Sequence, residues 1–109
     1  MARYVIQVPR DALSDDRKAH IAFAVTEAHT EIAGGDDADV HIAITEIDAG
    51  CFFAGGRLLE CDHIFLHGFV PDLAALGERK DALSARLAAD VTKAADFDPD
   101  STWVTISQA

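Results

Sequence analysis

Shifting residues 4–46 forward by 62 positions lays Val8-Pro9 on Val70-Pro71, Arg17-Lys18 on Arg79-Lys80, Ile21 and Val25 on Leu83 and Leu87, and Ile42 and Ile44 on Val104 and Ile106. One offset serves every pair. A solenoid unit would be shorter and present at least three times. The pattern therefore describes one supersecondary unit duplicated inside a single domain over 1–109, with copies at about 3–47 and 62–108. What each copy contains decides the fold.

The first copy opens with the β-rich run Tyr4-Val5-Ile6-Gln7-Val8, stopped by Pro9, which cannot donate to a ladder. Ser14 offers a helix N-cap, and Asp15 and Asp16 place negative charge at the positive end of the helix dipole. Ile21, Val25, Ala28 and Ile32 mark one helical stripe, which Gly34-Gly35 terminates. Val40 to Ile47 returns as a strand. The second copy repeats this with a strand over Ile64 to Val70, a helix from about Ala75 to Ala95 striped by Leu83, Leu87 and Val91, and a strand from about Thr102 to Ser107. Each copy is a βαβ unit whose strands are parallel and whose crossover is right-handed.

The expected fold is thus α/β in the α+β sense: a four-stranded mixed sheet with two helices on one face. Asp48 to Cys61 forms a short irregular or hairpin excursion between the copies. Alternation puts Val40, Ile42 and Ile44 on one side of their strand and His41, Ala43 and Thr45 on the other; it also separates Ile64 and Leu66 from His63, Phe65, His67 and Phe69. The second face is too apolar and aromatic to meet water as one patch, so other subunits should cover it.

Composition narrows the function classes. Nineteen acidic against nine basic residues give a net charge of −10, which repels nucleic acid and anionic membranes in the absence of a basic patch. No apolar run approaches the ~20 residues that span a bilayer, and no signal core follows the start. A cytoplasmic protein is the expectation. Cys51 and Cys61 lack metal-ligand spacing and read as free thiols; neither a metal nor another cofactor is expected. His63 and His67 share a strand face, but four steps hold their backbones roughly 13 Å apart, too far for one ion. His20 and His29 lie half a turn out of phase on the first helix. His29 flanks its apolar stripe near the C-terminal end, a place that favours the protonated ring. Asp15-Asp16 and Asp36-Asp37 fall at helix ends, where capping explains them. Gly55-Gly56 lacks the strand-to-helix context of a phosphate loop.

Several stretches carry a resemblance: Val25-Thr26-Glu27-Ala28-His29, Ala49-Gly50-Cys51-Phe52-Phe53-Ala54-Gly55-Gly56, Asp62-His63-Ile64-Phe65-Leu66-His67-Gly68, and Trp103-Val104. With the two βαβ units, they resemble the tautomerase superfamily over nearly the whole chain. The nearest likeness is to the cis-3-chloroacrylic acid dehalogenase group, with macrophage migration inhibitory factor more distant.

The resemblance implies a homotrimer with a pocket near each N-terminus. It also implies a catalytic proline exposed by removal of the initiator methionine. Here Ala2 stands after Met1. Ala2 could act only with Met1 removed, through a primary amine; a retained Met1 would displace that amine by about 3.5 Å. His29 corresponds to the group's histidine that positions substrate or water. The group's two carboxylate-binding arginines fall on Pro71 and Ala74, its tyrosine on the last strand falls on Thr105, and its acidic water-activating residue lies beyond Ala109. Dehalogenation is therefore not expected.

The catalytic candidates are Ala2 and His29, and the substrate-binding candidates are Arg3, Arg57, Phe53 and Thr105; Arg79 and Lys80 are read as helix residues. The first reading is a homotrimer without the proline-based activity, keeping a vestigial or repurposed pocket for a small anionic or keto-acid ligand. The alternatives are a tautomerase-, hydratase- or decarboxylase-like enzyme acting on small keto or enol acids through Ala2 or His29, and a non-catalytic binding or assembly protein.

Overall fold

A computed structural model describes residues 1–109. In chain order the elements are β1 (Ala2–Pro9), α1 (Asp15–Ala33), β2 (Val40–Ile47), the short strands β3 (Phe53–Ala54) and β4 (Arg57–Leu58), β5 (Ile64–Val70), α2 (Leu73–Leu76), α3 (Arg79–Ala95) and β6 (Thr102–Gln108). Turns of 3-10 helix, Asp37–Asp39 and Ala49–Cys51, flank β2.

Local chemistry sets the helix ends. Ser14 accepts from the Arg17 amide at 3.2 Å, capping α1, and the Gly34 amide returns to the Thr30 carbonyl to close it. The second copy departs from the expected single helix starting near Ala75. Asp72 caps a four-residue turn, α2, which Gly77 ends at φ +53, a left-handed conformation that suits glycine. The main helix α3 then runs Arg79–Ala95 and is capped by Asp96, itself left-handed at φ 59. The first strand is also longer than expected. Pro9 is tolerated as its last residue because β5 pairs with β1 only as far as Gln7.

The sheet order is β2-β1-β5-β6, with parallel outer pairs and an antiparallel central pair. This is the mixed four-stranded sheet expected from two βαβ units. Both long helices pack on one face, where Tyr4, Ile6 and Val8 of β1 and Ile64 and Leu66 of β5 meet Ile21, Val25, Leu83, Leu87 and Val91. Gly68 lies opposite Tyr4 in the β1–β5 register. A Cβ at Gly68 would sit 2.5 Å from Tyr4 Cε1, so the missing side chain is what lets the tyrosine ring lie across β5.

The two helices hold each other's ends. Arg17, at the start of α1, donates from Nη1 to the Ala94 carbonyl at the end of α3 (3.3 Å). Arg79, at the start of α3, donates from Nη1 to the Ile32 carbonyl at the end of α1 (3.2 Å). Both donors and both acceptors are related by the same shift of 62 positions. Carbonyls of a last helical turn lack intrahelical partners, and an arginine from the antiparallel neighbour supplies one to each.

The other sheet face carries no helix. Register aligns Ala43, Val5, His67 and Thr105 in one row, and Thr45, Gln7, Phe65 and Trp103 in the next. Its aromatic groups already touch: Phe65 stacks on Trp103 at 4.9 Å, His67 on Phe69 at 4.3 Å, and the Arg3 guanidinium lies 5.3 Å over Phe69. Between the copies, β3 and β4 form a hairpin whose two-residue turn, Gly55-Gly56, has positive φ at both positions, as the tight turns that match strand twist require. Phe52 anchors its base, buried and edge-on to Phe65.

Candidate functional site

A cavity of about 260 Å³ opens beside the N-terminus, between the end of α1, the start of β2 and the α2 turn. Met1, Ala2 and His29 line it, with Val70 and Pro71 at the end of β5. Strand alternation explains the floor. Ala2 and Tyr4 both point to the helix-covered face of β1, and the Tyr4 hydroxyl meets His29 Nδ1 at 2.8 Å. The two rings pack edge to face at 5.7 Å.

This pairing changes the reading of His29. The ring is only 6% exposed, not a boundary residue on the helix flank. Burial lowers its pKa, and repulsion from the terminal ammonium adds to the effect, so the ring is neutral at pH 7. The expectation that the helix C-terminus would favour protonation is overturned: desolvation outweighs the dipole at a site this enclosed. Burial also pushes the Tyr4 hydroxyl up to about 12.

Ala2 and His29 are thus brought to one cavity. The four substrate-binding candidates are not brought there within one chain. Arg3 alternates to the open sheet face beside Phe69, and Thr105 lies on that same face two strands away. Phe53 and Arg57 belong to the exposed β3–β4 hairpin, which follows the opposite end of β2 from the Val40 that pairs with Ala2. Arg79 does line the cavity. Pro71, one of the two positions that lack the expected arginine, lines it as well.

Sequence reasoning missed Tyr4, which was visible only as one β-former in a strand. The signal was available in the two-residue spacing from Ala2, which puts the tyrosine under the same helix as His29. It also missed the carboxylates at the mouth, Asp36, Asp39 and Asp72, whose convergence depends on two separate loops.

His63 and His67 make local contacts on the second copy, and His20 and His41 are exposed. His63 Nδ1 meets the Cys61 carbonyl at 2.7 Å and its ring packs against Trp103; His67 Nε2 meets Ser107 Oγ at 2.9 Å. No three His, Cys, Asp or Glu side chains are grouped to hold a metal ion. Both cysteines are free and exposed. No helix is long and apolar enough to cross a membrane.

A family model described as "Tautomerase enzyme" matches residues 5–61, more than half of the chain. The chain belongs to the tautomerase family. Solved tautomerase-like structures share its fold closely. A fused 4-OT wild-type asymmetric trimer, F6, aligns with a TM-score of 0.87 at 22% identity over 98% of this chain and 85% of that one. N1, a member of the cis-3-chloroacrylic acid dehalogenase family, aligns at 0.85 and 20% identity over 98% of this chain and 74% of that one. A macrophage migration inhibitory factor-like protein from Entamoeba histolytica aligns at 0.76 and 16% identity over 99% and 88%. No curated protein matches the chain. The tautomerase fold thus frames a cavity lined by Met1, Ala2 and the His29 imidazole.

Proposed function

We propose that this protein is a cytoplasmic, cofactor-free homotrimer of the tautomerase family, one domain over 1–109, that lacks the proline-based reaction and has kept its N-terminal cavity as a small-molecule site. The observation that carries the reading is that Ala2 stands where the family resemblance requires the catalytic proline, while the cavity around it is intact and floored by the buried Tyr4–His29 pair. A primary amine there differs from a prolyl nitrogen in basicity and in the geometry of its lone pair, so chemistry tuned to the secondary amine does not carry over. The aromatic face formed by Phe65, Phe69 and Trp103 supports the trimer, as does likeness to proteins that are themselves trimers. Dehalogenation is disfavoured because Pro71 and Ala74 supply no bidentate cation for a carboxylate.

The test compares wild type with Ala2→Pro, after intact mass shows that Met1 has been removed from both. Wild type leaves phenylenolpyruvate and 3-chloroacrylate at their uncatalysed rates. The proline variant accelerates ketonisation by about 10²-fold, the low end of general acid–base catalysis. Wild-type turnover that disappears on changing Ala2 or His29 would overturn the reading in favour of an enzyme using the terminal amine, and borohydride trapping of a 2-keto acid on that amine would identify its mechanism.

A further inference from the structure

The hydrogen bonding at the cavity floor fixes which atom a ligand meets. Tyr4 has no exposed surface, and its hydroxyl has one hydrogen-bond partner, His29 Nδ1. A fully buried O–H with a single possible acceptor donates to it, since a proton on Nδ1 would leave the tyrosine hydrogen unpaired. Nδ1 therefore accepts, and the neutral ring carries its proton on Nε2. Tyr4, raised to about 12, stays protonated, and the lowered pKa of His29 keeps the ring neutral. Nε2 makes no hydrogen bond within the chain, yet no fully buried polar side-chain atom is left unpaired. The Nε2–H edge is thus the part of this 6%-exposed ring that opens on the cavity.

Charge at the mouth opposes a carboxylate. Asp36, Asp39 and Asp72 share the lining with two cations, the Arg79 guanidinium and the terminal ammonium, which leaves the mouth net negative. Each nitrogen of that guanidinium already donates to a backbone carbonyl: Nε to Leu76 at 3.3 Å, Nη1 to Ile32 at 3.2 Å and Nη2 to Ala75 at 2.8 Å. A ligand carboxylate would enter a mouth of net negative charge, where three of the five N–H groups of the guanidinium are already held by backbone carbonyls.

We infer that the cavity binds a small carbonyl compound without a carboxylate, its oxygen accepting a hydrogen bond from His29 Nε2–H. The inference rests on the proposed function only in taking this cavity as the ligand site. A neutral imidazole is suited to such a carbonyl because it polarises the oxygen without presenting a competing charge.

Phenylacetone and phenylpyruvate differ by a methyl group in place of the carboxylate and serve as probes for the full-length protein. Long-range 1H–15N correlation of the His29 ring should show the proton on Nε2, and the Nε2 resonance should move on adding phenylacetone. Calorimetry should show phenylacetone binding about tenfold more tightly than phenylpyruvate, with His29→Phe removing that advantage. A proton resident on Nδ1 would overturn the inference. So would equal or tighter binding of phenylpyruvate, which leaves the cavity standing as a ligand site; if Arg57→Gln abolishes that binding, the clamp comes from a hairpin. Failure of both probes to bind overturns the inference and the pocket reading together.

Discussion

Tyr4 and His29 form a polar pair inside an otherwise apolar layer, and their titration shapes the pH dependence of stability. The folded pKa of His29 is lowered below its ordinary 6.5, so the unfolded chain binds more protons as pH falls below that value. Stability is present above pH 6.5 and is lost as pH falls through the folded pKa. The folded pKa of Tyr4 is raised from 10.0 to about 12, so its contribution is present below pH 10 and is lost as pH rises through about 12. Urea midpoints across pH should therefore show a plateau between these limits. Tyr4→Phe should lower the plateau by about 1–3 kcal/mol, because Nδ1 is left buried without its donor, and should flatten the alkaline limb. An alkaline limb unchanged in Tyr4→Phe would remove Tyr4 as its cause. Neither residue advertises this role in the sequence. His29 was legible as a candidate by resemblance, and its helix phase placed it beside the core. Its protonation state was not legible, because desolvation comes from a strand 25 positions away.

At the level of elements, alternation and helical periodicity made all four long strands and both long helices legible, since each buries one face and a period of 2 or 3.6 records which. The interruption at Gly77 was less legible, because a glycine between Leu76 and Glu78 signals a break without saying on which side the helix resumes. The arginine pairing between helices also required three dimensions. Repetition marked Arg17 and Arg79 as equivalent, and antiparallel packing reveals that each serves the other's helix. Arg17→Gln should cost about 0.5–1.5 kcal/mol in urea unfolding, the net value of a hydrogen bond, and Arg79→Gln, which releases three bonds to carbonyls, should cost more. The two donors share no acceptor, so the double variant should lose the sum within about 0.5 kcal/mol. A coupling larger than that would show that the two helix ends communicate through the packed layer.

For the whole molecule, the uncovered sheet face is the dominant fact. Trp103 is the only tryptophan in the chain and is 41% exposed there, stacked on Phe65. Its fluorescence therefore reports on that face alone. Under the proposed trimer, dilution should shift its emission to the red as the subunits separate, and sedimentation should give a mass about three times 11.7 kDa. Trp103→Glu, which places a charge on the aromatic row, should yield monomers by the same measurement while far-ultraviolet dichroism stays unchanged. A wild-type monomer with a water-quenched tryptophan would end the trimer reading. The alternation of strands predicted which side chains share this face and that it calls for a cover; the number of subunits was not legible there, because a single chain carries no record of its neighbours.

The crossed arginines also bear on how the molecule tolerates cutting. The two halves are joined covalently through the hairpin, yet β1 is paired along β5, and each half supplies the donor for the other's helix end. A backbone nick at the exposed Gly55-Gly56 tip would sever the connection without removing any of these bonds. The fragments should remain a non-covalent pair, whereas either one alone would present an unpaired central strand and a frayed helix. The duplicated halves are obligate complements, and the peptide link between them is dispensable once they have met.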